Sequence, residues 1–331
     1  MNQPLPHAPA VAGDRVSPFW HAVPWLVALA FYFMAGGYLS LGTNILVYIL
    51  LTLSLDLALG YAGIITLGHA AFFGFGAYAA GLFAAHVYAE PVTGLIAATA
   101  LTAVFAMLTG MLILHTQGVT LLMLTLAISI LLAEWANRAH SVTGGDDGLQ
   151  ISMDPVLGLF RFDLWGNTAY LYSLVVLFIW FIVAWNVVHS PFGRSLDGIR
   201  QSPARMRAIG TPVWWRLVAI YALSGAMAGT AGALSAQTTR FVGLNTLHVL
   251  ISGIAVVMLV LGGTKRLYGA FIGAAIYVVV QDVAAKINPF YWMFVIGGLL
   301  MATVMFLEGG LMEVLDIARR RFRQLFARTK S

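Results

Sequence analysis

The stretch SPFGRSLDGIRQSPARMRAIG, Ser190 to Gly210, interrupts a chain that is otherwise almost continuously apolar. Ser190-Pro191 is an N-cap followed by a first-turn proline, and Ser202-Pro203 repeats the signal. One short helix should therefore end near Gln201 and a second begin there. Gly210, followed by Pro212, supplies a stop. Arg194, Asp197 and Arg200 sit three apart on one face, and Arg205 and Arg207 make the second helix basic. A segment this polar between apolar runs must lie outside a bilayer, and its arginines place it on the cytoplasmic side. From charge alone, the loop is either a topological anchor or a lever on which a cytoplasmic partner docks.

On either side of the loop the chain reads as membrane. Of 331 residues, 60% are hydrophobic and 9% charged, with a mean hydropathy of +0.87, and soluble domains carry roughly 25% charge. The expected fold is an all-α polytopic bundle. A span takes about 20 apolar residues, and ten stretches qualify: 19–39, 44–60, 69–88, 92–113, 118–137, 167–188, 214–236, 248–262, 267–285 and 290–307. The second, eighth and ninth are short, so eight to eleven spans fit. The run 19–39 is too long for a signal-peptide core and reads as the first span. The resulting division is a polar segment 1–18, a membrane domain 19–311 and a basic tail 312–331. Within the membrane domain lie an external loop, 138–166, and the cytoplasmic loop, 190–213.

With both termini inside, 14 of the 18 Lys and Arg residues fall on the cytoplasmic side, leaving Arg138, Arg161, Arg240 and Lys286 outside. The basic residues thus flank spans, and the net charge of +5 implies no nucleic-acid role. The tail alternates apolar residues with arginines, as an interfacial helix on anionic lipid would. There is no cysteine, hence no disulfide framework, thiolate nucleophile or thiolate metal site. No phosphate-binding glycine loop, catalytic carboxylate pair, histidine metal cluster or nucleophile elbow is visible. Neither catalysis nor a cofactor or metal is expected.

Four acids lie in or near the apolar spans: Asp56, Glu134, Asp282 and Glu308. Buried charge is costly in lipid, which makes each a functional candidate. Glu134 has Arg138, and Asp282 has Lys286, one turn later; Glu308 stands at a span end. Asp56 is deepest, and a proton-coupled carrier would use such a group. Next to it, GYAGIITLG (Gly60 to Gly68) has glycines and Thr66 that argue against regular helix, so it ends the second span or dips into the membrane. His69 stands alone and reads as a hydrogen-bonded core residue before a ligand. HAAFFGFGAY (His69 to Tyr78) and SGAMAGTAGALSA (Ser224 to Ala236) carry small residues at helical spacing, as close helix packing requires. In the external loop, TGGDDGL (Thr143 to Leu149) offers turn chemistry at Gly144, Gly145, Asp146 and Gly148. Asp146 with Asp147 would alternatively form a rim for an amine-bearing partner.

Taken together, NILVYILLTLSLDLALGYAGIITLGHAAFFGFGAY (Asn44 to Tyr78), GVTLLMLTLA (Gly118 to Ala127), TGGDDGL and the 190–210 stretch resemble the permease subunits of branched-chain amino acid ABC importers. The resemblance implies that Arg194, Gly198, Arg200, Ala208 and Gly210, with Asp197, Pro203 and Arg205 beside them, belong to a loop docking on a separate ATP-binding subunit. It implies a second, homologous permease, a periplasmic substrate-binding protein and a bacterial inner membrane. Gly60, Gly63, Gly68 and His69 match a signature near the translocation path, to which Asp56 and Thr66 are added as candidates. Departures fall late. Gly243-Leu244 replaces a Ser-Pro pair and Ile254 an acid, while Lys265 and Ala270 replace glycine and proline, and Glu308 a proline. They bear on substrate, and Lys265 with Arg266 adds charge to a turn that faces the ATPase. The expected activity is uptake of branched-chain or other hydrophobic amino acids. Urea or short amides are an alternative cargo, and a proton-coupled carrier using Asp56 is an alternative class. An integral membrane enzyme is a third, and it lacks any recognisable catalytic set.

Overall fold

The computed structural model describes residues 18–34, 36–156, 158, 160, 163, 166–289, 291–306 and 310–312. Most of the polar N-terminal segment, the tail after Met312 and Glu308 lie outside the described residues. The fold is an all-α helical bundle. In chain order it runs α1 (Pro18–Met34), α2 (Leu39–Leu55) with a π-helical turn (Asp56–Tyr61), α3 (His69–His86), α4 (Pro91–Ile113), α5 (Val119–Arg138), α6 (His140–Thr143), β1 (Leu149–Gln150), α7 (Asn167–His189), α8 (Pro191–Gln201), α9 (Pro203–Ala208), α10 (Val213–Thr239), β2 (Phe241–Val242), α11 (Leu250–Gly262), α12 (Gly269–Ile287) and α13 (Trp292–Phe306). Ten of these helices fall on the ten apolar stretches, with α2 starting at Leu39 instead of residue 44. Among the described residues, six are long and apolar enough to cross a membrane: α2 with its π turn, α4, α5, α7, α10 and α12. At 13 residues α11 is shorter than a span.

Two helices form the centre. In α2 and α10, 78% of the most apolar window is buried, against 22–33% in α4, α5, α7 and α12. The outer helices keep an apolar face exposed, as Ile96, Leu101, Val104, Leu108 and Leu112 do along α4. Such a stripe suits lipid and would be a liability in water. α10 can be central because its sequence is small there. It packs on α3, α4 and α2. A methyl at Gly232 would overlap the Phe73 carbonyl of α3, one at Gly225 would overlap Ala106 of α4, and one at Gly76 would overlap the Gly229 backbone. The stripes in Ser224–Ala236 and His69–Tyr78 thus bring backbones together, and dispersion across that distance holds them.

At the end of the bundle remote from α8 and α9, β1 pairs antiparallel with β2, Leu149 opposite Val242 and Gln150 opposite Phe241. This pins the 138–166 loop to the end of α10. Gly144 and Gly148 sit at φ 75° and 70°, and Thr143 is buried with its hydroxyl donating to the Ala139 carbonyl at 2.9 Å. At the other end, α7 turns into α8 and α9, and α11 turns into α12 through residues 263–268.

Candidate functional site

The segment between α2 and α3 is where the bundle departs from regular structure. After the π turn, residues 62–68 have no helical ladder, and their polar backbone groups need partners. Ala62 and Ile64 donate back to Leu57 and Ala58 at 3.2 and 2.9 Å. At Leu67 the partners are hydroxyls from other helices. The Leu67 amide donates to Thr125 Oγ1 of α5 at 3.2 Å, and its carbonyl accepts from Ser252 of α11 at 2.7 Å and Ser129 of α5 at 3.3 Å. Ser252 also accepts the Ala70 amide at 2.7 Å, while Gly68 donates to Thr66 Oγ1 at 3.0 Å. From Ser252 to the end of α11 at Gly262 is about 15 Å of helix, so Leu67 lies well inside the bundle. The alternative of a segment that dips inward describes the geometry.

His69 opens α3 and is 0% exposed. Ser224 of α10 gives its one hydroxyl proton to the Ser54 carbonyl at 2.6 Å. Its oxygen must then accept from His69 Nε2, 2.8 Å away, which fixes the tautomer. This histidine links α3, α10 and α2 as a core residue.

Toward the α8–α9 end a second set of contacts converges on one turn. Asp56 is 0% exposed, and its Oδ1 accepts the Lys265 amide at 2.8 Å. The Tyr61 hydroxyl donates to the Lys265 carbonyl at 3.0 Å. The Lys265 ammonium pairs with Asp197 of α8, and Arg200 of α8 donates from Nη1 to the Gly60 carbonyl at 2.6 Å. Lys265 holds φ 63°, a left-handed backbone that costs a non-glycine residue roughly 1–2 kcal/mol. Gly60 is required by proximity, since a methyl there would overlap the Asp56 carboxylate and stand 3.1 Å from the Lys265 nitrogen. Gly63, at φ 74°, lies under Arg200, whose Cγ would be 2.9 Å from an added methyl. The Lys265 ammonium holds the Asp197 carboxyl below its ordinary range, and Gln201, donating at 3.2 Å, adds to that.

α8, which carries Asp197 and Arg200, and α9 after it start at the two serines. Ser190 accepts the Gly193 amide at 3.2 Å and Ser202 the Arg205 amide at 3.3 Å. Leu196 and Ile199 bury the inner face of α8. Gly198 admits Met206 of α9, whose Sδ would lie 2.7 Å from an added methyl. Arg194, Arg205, Arg207, Ala208 and Gly210 are exposed, Pro203 is half-buried, and Ile209 is 70% exposed. The structure therefore divides the candidate loop residues. Asp197 and Arg200 reach back to the bundle, Gly198 receives α9, and Arg194, Arg205 and Arg207 make the outer face basic.

Elsewhere, Asp146 and Asp147 are exposed, and Glu134–Arg138 and Asp282–Lys286 form surface pairs at 2.6 Å. Ile254 is half-buried in α11 and Ala270 fully buried in α12. Sequence reasoning passed over the hydroxyls of Thr125, Ser129 and Ser252. The first two had a signal: polar residues four apart on an otherwise apolar helix. The link between Lys265 and Asp197, far apart in the chain, had none.

Residues 37–304 match the family described as "Branched-chain amino acid transport system / permease component". The chain belongs to this family of ABC permeases. The matched range contains the irregular segment, the α8–α9 loop and the turn that joins them. This permease is 27% identical to the high-affinity branched-chain amino acid transport system permease protein LivM of Escherichia coli K12, over 92% of its own length and 77% of that protein. Its identity to the Salmonella typhimurium LivM is 26%, with the same coverage. It is also 30% identical to the autoinducer 2 import system permease protein LsrC of an Enterobacter species, over 45% of each chain. No solved structure matches. Family membership and the apolar helices make it a multi-pass membrane protein and a transport subunit, one that associates with other components of an ABC transporter.

Proposed function

We propose that this chain is the membrane-spanning subunit of an importer for branched-chain or other hydrophobic amino acids in a bacterial inner membrane. It would cross the membrane about ten times with both termini cytoplasmic and pair with a second, homologous permease. Cytoplasmic ATP-binding subunits would dock on α8 and α9, and a periplasmic binding protein would deliver substrate at the β1–β2 end. One observation carries the reading. The α8–α9 loop exposes a basic outer face, while its inner face is hydrogen-bonded through Arg200 to Gly60 in the π turn that leads into the irregular segment. A push on the loop thereby reaches the turn that precedes the hydroxyl-held backbone at Leu67 to Ala70. The Escherichia coli protein named for high-affinity branched-chain amino acid transport supports the substrate class. Asp56, which a proton-coupled carrier would use, is engaged as the acceptor of a backbone amide in a tight turn.

The test is uptake by vesicles containing this chain with the subunits encoded beside it, with and without ATP and binding protein, using leucine, phenylalanine and urea. Leucine uptake that needs both supports the reading. Urea uptake changes the cargo, and uptake by this chain alone on a proton gradient overturns it.

A further inference from the structure

We propose that Lys265 is a positioning residue that makes the α8–α9 loop and the α11–α12 turn move as one body during transport. This rests on the ABC reading above and adds a second route from the loop into the bundle.

The geometry is a closed triangle. Its first corner is the end of α2, the second is α8, and the third is the α11–α12 turn. α8 is tied to the first by Arg200 on the Gly60 carbonyl, at 2.6 Å. The turn is tied to the first by its own backbone: the Lys265 amide on Asp56 at 2.8 Å and the Lys265 carbonyl under the Tyr61 hydroxyl at 3.0 Å. The third side is the Lys265–Asp197 ion pair. Two sides leave a hinge, and three make a rigid frame. With the pair in place, displacement of α8 carries the turn, and the turn begins both α12 and the glycine-packed α11–α12 hairpin, where Gly273 lies under the Met258 carbonyl. Without it, α8 moves the α2 end and the turn need not follow.

The side chain is separable from the fold. Both backbone bonds of Lys265 survive its loss, and glycine at φ 63° relieves strain. Lys265→Gly should therefore leave the permease folded and remove only the third side of the triangle. The pair is also partly exposed, with side-chain exposures of 37% and 42%, so its role is geometric more than stabilising.

The decisive experiment measures substrate carried per ATP hydrolysed by the reconstituted transporter. Lys265→Gly should lower that ratio roughly fivefold or more, with ATP hydrolysis and the amount of assembled complex near wild type, and Asp197→Asn should lower the ratio as well. The chain has no cysteine, so Asp197→Cys with Lys265→Cys permits a chemical bridge. A short bis-thiosulfonate reagent should restore the ratio, and reduction should remove it again, a response that a merely structural lysine would not give. A wild-type ratio in Lys265→Gly overturns the proposal, as does a bridge that blocks transport, since the two parts must then separate. Both results leave the ATP dependence of wild-type uptake untouched, whereas failure of the ABC reading appears already in the wild type as uptake without ATP.

Discussion

The α3–α10–α4 seam and the Asp56–Lys265–Asp197 junction are both places where distant segments meet, and they are held by opposite means. The seam has no charge in it. Gly76, Gly225, Gly229 and Gly232 let backbones touch, and apart from the His69–Ser224 and Thr99–Thr230 hydrogen bonds the seam depends on volume. The junction depends on donors and acceptors: two carboxylates, one amide, one ammonium, one guanidinium, one hydroxyl and two carbonyls in defined directions. A close-packed seam transmits strain as a rigid body and has no alternative arrangement. Contacts made of hydrogen bonds and a half-exposed ion pair can re-form, which suits the end of the bundle proposed above as the docking end. The seam is thus the part expected to stay fixed, and the junction the part expected to work.

The largest effect should come from breaking the seam by volume. Gly232→Val would drive its side chain into the Phe73 carbonyl. Backbone has no rotamer to yield, so a cost on the order of 3 kcal/mol or more is expected. Little folded protein should elute as a single species in detergent. Gly253→Ala on α11, where an added methyl meets nothing, should elute as wild type. Equal behaviour of the two would mean that the seam is looser than described.

At the junction the same logic runs through partners instead of volume. Asp56→Ala leaves the Lys265 amide buried without its acceptor, at about 1–3 kcal/mol. Asp56→Asn keeps an oxygen there and should unfold closer to wild type on heating, with ATP-driven uptake reduced only mildly. Normal assembly with complete loss of transport in Asp56→Asn would instead make the carboxylate a proton carrier. Ser252→Ala tests the irregular segment similarly. It removes the acceptor for the Ala70 amide, while the Leu67 carbonyl keeps Ser129. A loss of about 1–2 kcal/mol is expected, read as a lower midpoint of thermal unfolding, and no loss would show that water replaces the serine.

The same contrast explains what could be read from residues alone. Features written in local spacing were legible. They include the apolar stretches, the caps at Ser190 and Ser202, the small-residue stripes, and the i,i+4 pairs of Glu134 and Asp282. The irregularity of 62–68 was legible as well, because Gly60, Gly63 and Gly68 oppose a helix. Its depth was not, since that follows from Ser252 and Thr125, hydroxyls contributed from remote points of the chain. The junction was hidden for the same reason. Asp56 looked like a lone buried charge because its partner is a backbone amide, a group every residue has and no sequence pattern marks. Lys265 looked like a charge aimed outward at a partner protein, and its ammonium turns back to Asp197.

The smallest effect sharpens the junction by pH. Asp197 is held below its ordinary carboxylate value, chiefly by Lys265. A carboxyl whose folded value is depressed stabilises the fold above its unfolded value, about 3.9. That contribution is lost as pH falls through the lower, folded value. The pair should therefore be fully formed throughout pH 5 to 8. Because both side chains are over a third exposed, the stability involved should stay within about 1 kcal/mol. The difference in unfolding midpoint between wild type and Asp197→Asn should be small and constant from pH 5 to 8, shrinking only below about pH 4. It should also fall in high salt, which screens exposed pairs, whereas Gly232→Val should be insensitive to both. A difference that changes between pH 5 and 7 would require another titrating group at the junction, and the ion pair would no longer account for its strength.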